Sequence, residues 1–158
     1  MKQFIRTIFP KEFFDRPEYF RALTLGILYV GTLVTQLFTF ERFKEVLAGY
    51  LLPGNEATVA LLSWLLPVLA LLALPFLLSM RMGRRLRVVS RTAVVALPLF
   101  WLALGAWGNI VVGYGGNSGL FGATLPTPIG LWQIALALLW LWAAVLVARE
   151  LPARKVGA

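Results

Sequence analysis

Four apolar stretches, each roughly twenty residues or longer, follow one another along this 158-residue chain, and none has an Asp, Glu, Lys or Arg near its centre. A helix of about 20 such residues, rising ~1.5 Å per residue, covers the ~30 Å hydrocarbon core of a bilayer. The pattern therefore predicts an all-α integral membrane protein, a four-helix bundle with spans at residues 19–40, 58–80, 88–112 and 129–148. Composition agrees, because charged residues make up only 14% of the chain against roughly a quarter in a soluble domain. Pro67, Pro75 and Pro98 fall inside the spans. They would break soluble helices but are tolerated in a membrane as kinks.

The net charge of +8 would suggest nucleic acid in a soluble protein. Here the basic residues sit at the ends of apolar runs, where topology explains them, so no nucleic-acid partner is expected. Lys2, Arg6, Lys11, Arg16 and Arg21 precede or open the first span, Arg81, Arg84, Arg85, Arg87 and Arg91 lie between the second and third, and Arg149, Arg154 and Lys155 follow the fourth. Arg42 and Lys44 alone lie on the other side, a division of thirteen to two. Both termini are thereby expected in the cytoplasm, with the chain in the inner, cytoplasmic membrane. The arginine cluster reads first as a topology anchor and second as an anionic headgroup site.

The segments between spans are short. Residues 1–18 form an amphipathic arm with Pro10 and Pro17, expected to be retained on the cytoplasmic interface and to meet headgroups or a partner. After the first span, Phe43, Val46, Leu47, Tyr50 and Leu51 recur at helical spacing before Pro53 and Gly54, predicting a short interfacial helix. Residues 149–158 form a cytoplasmic tail.

One loop stands apart. Between Gly105 and Gly130 lie eight of the fourteen glycines and no charged residue. Such density implies a specifically shaped turn structure, which could dip back onto the bilayer surface and is the first place to look for a site. Gln36, Asn109 and Gln133 are amides near the same ends of three spans and need partners, either one another or a ligand. Asn109 lies four residues from Gly105, on one face with that gap. Trp107 and Trp132 fit an interfacial aromatic belt together with Tyr114.

The opening FRALTLGILYVGTLVTQLF, the amphipathic ERFKEVLAGYLLPG and the run Asn117-Ser118-Gly119-Leu120-Phe121-Gly122 after the third span together resemble the DoxX and MauE-like small membrane proteins. In MauE-like members the equivalent run contains Cys-Gly-Cys-Phe-Gly, a thiol pair. Ser118 and Leu120 occupy the two cysteine positions here, and neither can exchange disulfides. The resemblance implies that their side chains lie close together at the outward end of the bundle, within reach of external reagents. It also implies a setting among membrane redox complexes, since members are associated with maturation of periplasmic redox enzymes, thiosulfate-to-quinone electron transfer and oxidative stress.

Chemistry narrows the function. Without cysteine or histidine the chain lacks thiol redox catalysis, imidazole-ligated haem and the commonest general base. No cofactor is implied by its ligands, although a quinone or a structural lipid could bind. The expected function is a non-catalytic accessory subunit or assembly factor of a larger membrane complex, surrounded by lipids and other subunits. The alternative is a small quinone- or lipid-binding subunit, in which Gln36, Asn109 and Gln133 line an outward pocket and Trp107, Phe121 and Trp132 stack on the ring. An independent enzyme would have to use Glu41, Glu45 and Glu56, whose spacing matches no catalytic pattern.

Overall fold

A computed structural model describes residues 16–80, 82–113 and 115–151, without the Asn55 side chain. The arm over residues 1–15, Arg81, Tyr114 and the tail from residue 152 lie outside the described residues. The elements in order are α1 (Pro17–Phe38), α2 (Phe40–Ala48), α3 (Asn55–Leu77), α4 (Arg84–Val111), β1 (Gly115–Asn117), β2 (Pro128–Ile129) and α5 (Leu131–Glu150). Helices α1, α3, α4 and α5 are long and apolar enough to cross a membrane, and the chain is a multi-pass membrane protein.

Each span sets its own ends. Pro17 starts α1, where its missing N–H is no loss. At 28 residues, α4 is about 42 Å long, some 12 Å more than the hydrocarbon core needs. That excess is about eight residues, the length of Arg84 to Arg91. Arg84, Arg85 and Arg87 therefore lie on the first turn of α4 and not in a loop before residue 88 as the sequence suggested. An arginine side chain there can reach past the hydrocarbon edge while its stem packs against it.

The helices pack in the order α1, α3, α4, α5, with α4 against both α3 and α5, whereas α1 and α5 meet over a much smaller area. Tyr29 of α1, fully buried, ties the middle of the bundle together. Its hydroxyl donates to the Val94 carbonyl of α4, and its ring meets Trp140 of α5 edge to face, with centroids 5.2 Å apart. The backbone beside Pro75, inside α3, is met by a side chain of the neighbouring helix. Ser90 of α4 donates to the Leu72 carbonyl at 2.6 Å and accepts from the Phe76 N–H at 3.0 Å. Its hydroxyl thus bridges the helical rung just past the proline. Ser90 was legible only as part of the arginine-rich segment.

At the far end, α1 breaks at Thr39 and the chain turns into α2. A short helix follows the first span as expected, but it ends at Ala48. Its apolar face buries Phe43 and Leu47 completely, while Glu41 and Lys44 pair on the exposed side at 3.4 Å. The bundle is not wholly α. Inside the glycine-rich loop, β1 and β2 form an antiparallel ribbon in which Gly115 faces Ile129 and Asn117 faces Pro128. Strands of three and two residues carry too little alternation to be read from sequence.

Candidate functional site

The glycine-rich loop folds back onto the bundle and is held by polar side chains beneath it. Tyr50, just past α2 and fully buried, is the centre. Its hydroxyl donates to the Ser118 carbonyl at 2.8 Å and accepts from Gln133 Nε2 at 2.9 Å. Gln133 Oε1 lies 3.1 Å from the same hydroxyl, but one proton cannot serve two acceptors fully, and the nearer carbonyl has the better claim. Burial pushes the Tyr50 phenol well above its usual value, outweighing the opposing effect of Gln133. The hydroxyl consequently keeps the proton it donates.

Two glycines of α4 make room for this pair. A Cβ at Gly105 would sit 3.3 Å from the Gln133 side chain, and one at Gly108 only 2.8 Å from the Tyr50 ring. The gap noted beside Asn109 is therefore filled by Gln133. Asn109 itself is half-buried, and its Oδ1 has no hydrogen-bond partner among the described residues.

The hexapeptide 117–122 is the contact strip of the loop. Asn117 organises it, with Oδ1 accepting from the N–H groups of Gly119 (3.0 Å) and Thr127 (3.2 Å) and Nδ2 donating to the Gly122 carbonyl (3.3 Å). The Ser118 hydroxyl is paired with that of Thr127. Gly119 lies on α2, where a Cβ would come within 2.9 Å of Val46. Gly122 lies on the end of α1, and the Ala123 N–H donates to the Thr39 hydroxyl at 3.1 Å. Gln36, with no exposure, gives its Nε2 to the Leu120 carbonyl at a long 3.4 Å, and its Oε1 has no partner among the described residues.

Two expectations change here. The Leu120 N–H donates to Ser118 Oγ at 3.3 Å, and the two residues are 0% and 2% exposed. The loop presses them inward, so they are not open to external reagents. The amides and aromatic rings do not form one pocket either. Gln36 and Gln133 are bound up with the loop and Tyr50, Trp107 donates its indole N–H to the Tyr50 carbonyl at 3.0 Å, and Trp132 is 60% exposed. Phe121 instead lines a separate groove between α1 and α5.

Sequence reasoning missed Tyr50 and Thr127 as members of the clamp. The available signal for Tyr50 was its place on the buried face of an amphipathic helix, because a buried phenol must find a partner. Among the described residues no cluster of three or more acidic side chains is placed to hold a metal. Comparison of the chain with known protein families, with curated proteins and with solved structures finds no match.

Proposed function

We propose that the protein is a non-catalytic accessory subunit or assembly factor of a larger complex in the cytoplasmic membrane. One observation carries the reading. The polar side chains that converge on the conspicuous loop, Tyr50, Gln133, Asn117 and Ser118, hold the fold together and present no reactive group. What the molecule offers to its surroundings is a clamped loop and long apolar helix flanks. The resemblance to the DoxX and MauE-like proteins supports the same setting, with Ser118 and Leu120 standing where thiols would be. Mild extraction of the native membrane and identification of what travels with the protein tests it. A stoichiometric membrane-protein partner is expected, and a chain that migrates alone after crosslinking in the intact membrane would sink the proposal.

The second reading, a small quinone- or lipid-binding subunit, is favoured by the groove between α1 and α5, which is too apolar for a polar metabolite and opens beside a basic helix end.

Both readings use one orientation, with the arginine-rich end in the cytoplasm. A reporter fused after Ala158 and one inserted next to Gly83 are expected to report cytoplasm, and one inserted at Gly116 the exterior. A cytoplasmic signal at Gly116 would invert the assignment.

A further inference from the structure

The groove deserves a ligand of definite chemistry. It is an open groove of about 990 Å³, at the top of the roughly 300–1,000 Å³ usual for small-molecule sites, and exists because α1 and α5 close the bundle only partly. Along α5 it runs from Glu150 to Leu136, some 21 Å at helical rise. That exceeds the ~15 Å depth of one leaflet's hydrocarbon, so a straight chain entering at the arginine-rich end passes the bilayer midplane and stops under Leu120 and Phe121 of the loop.

The walls discriminate between a chain and a helix. Associating membrane helices approach over small residues. Here the lining is mainly bulky, with Phe20, Leu28, Leu136, Leu139 and Trp142 among it and Thr24 and Ala143 its only small members. A wall of side chains of that size lacks the small-residue stripe over which a second helix approaches, and suits a flexible hydrocarbon chain better.

The mouth supplies the charge. Arg21 lines the groove and remains about half exposed. Both of its bonds to Glu150, at 2.7 and 2.9 Å, come from Nη1. Among the described residues that leaves the edge formed by Nε and Nη2, a planar fork whose spacing matches two phosphate oxygens. Arg87 is drawn to the same end by its bond to the Leu151 carbonyl at 3.2 Å. Arg84, Arg85 and Arg149 add to it, against Glu18 and Glu150. Basic sites of this kind between helix ends hold anionic headgroups.

We propose that this groove binds one anionic phospholipid, with an acyl chain along α5 and the phosphate on the free edge of Arg21, while Glu150 holds the guanidinium in place. The inference rests on the second reading above and gives its ligand class. Purified full-length protein is reconstituted into phosphatidylglycerol or phosphatidylcholine nanodiscs, returned to detergent, and its retained lipid measured by native mass spectrometry. The parent is expected to keep phosphatidylglycerol in preference. Arg21→Gln should weaken retention about tenfold, the worth of one charge-assisted bond. Glu150→Gln, which loosens the guanidinium but also removes the carboxylate that competes with the phosphate, should change retention by less than Arg21→Gln, and Ala143→Trp, which fills the groove, should release the lipid. Equal retention of both lipids overturns the proposal, as does an equal loss in Arg21→Gln and Glu150→Gln, which would mark the ion pair as merely structural. Release of a bound polypeptide by Ala143→Trp with lipid unchanged would also overturn it in favour of a helix. A neutral quinone retained regardless of Arg21 would sink the phospholipid while leaving the second reading intact.

Discussion

Replacing Gly122 with alanine is expected to destabilise the protein by about 2–4 kcal/mol, although it adds one methyl group. Two effects combine. Gly122 has φ of +63°, a left-handed conformation that costs an L-residue roughly 1–2 kcal/mol. The added Cβ would also lie 2.6 Å from the Thr35 carbonyl oxygen and 2.8 Å from its carbon, closer than such atoms approach. Thr35 cannot easily yield, since its carbonyl accepts from both the N–H (3.3 Å) and the hydroxyl (2.8 Å) of Thr39. Thr39 in turn holds Ala123 of the loop. The methyl therefore drives the loop off the end of α1. Gly31, on the same helix, is the internal control, because a Cβ there meets nothing within 4 Å. Gly31→Ala should be neutral or gain about 0.5–1 kcal/mol from helix propensity. Thermal unfolding in detergent reads the stability, and hydrogen exchange at residues 117–123 reads the loop. A Gly122→Ala protein as stable as Gly31→Ala would mean that the loop does not rest on Thr35.

Gly31 and Gly122 also mark how far the sequence could be read. The four spans were legible because hydropathy and length depend on local composition, and their ends moved by only a few residues. The arginines at α4 moved most, since a snorkelling side chain lets a helix start before its apolar run. That the glycine loop has a special shape was legible from its density. Which glycines matter was not, because that depends on what lies opposite each one. Gly122 meets a backbone from residue 35 and Gly108 meets the ring of residue 50, contacts between segments far apart in the chain.

The same limit explains the clamp and the groove. Gln36 and Gln133 were identified as amides needing partners, but the phenol of Tyr50 that satisfies Gln133 lay on a helix read as interfacial. An aromatic residue there is explained equally well by the headgroup region. The groove depends on which two helices fail to close the bundle. No residue of α1 or α5 announces that. Arg21 and Glu150 lie 129 positions apart, and each was assigned a separate role in topology or the tail.

The second large effect is expected at Tyr50. Removing its hydroxyl in Tyr50→Phe deprives the Ser118 carbonyl and Gln133 Nε2 of their partner in a site with no exposure. A buried polar group left without a partner costs about 1–3 kcal/mol, while interhelical hydrogen bonds in membrane proteins average nearer 0.6 kcal/mol because the disrupted state finds substitutes. The first figure governs here. Gln133 is fully buried and packs so close to Gly105 that a Cβ there would meet it at 3.3 Å, so it cannot swing to water and about 2 kcal/mol is expected. Gln133→Leu should cost a similar amount, for it strips the phenol of a donor and puts a branched side chain against Gly105. The double variant separates pairing from packing. Once Gln133 is gone, Tyr50→Phe leaves only the Ser118 carbonyl unpaired, so the two losses should fall short of additive by about 1 kcal/mol, within the range for residues in one network. Unfolding of the four proteins in the same detergent gives the coupling directly. Strict additivity would show that Tyr50 and Gln133 are neighbours without being partners, and the loop would then be held chiefly by Gly119 and Gly122 against α2 and α1.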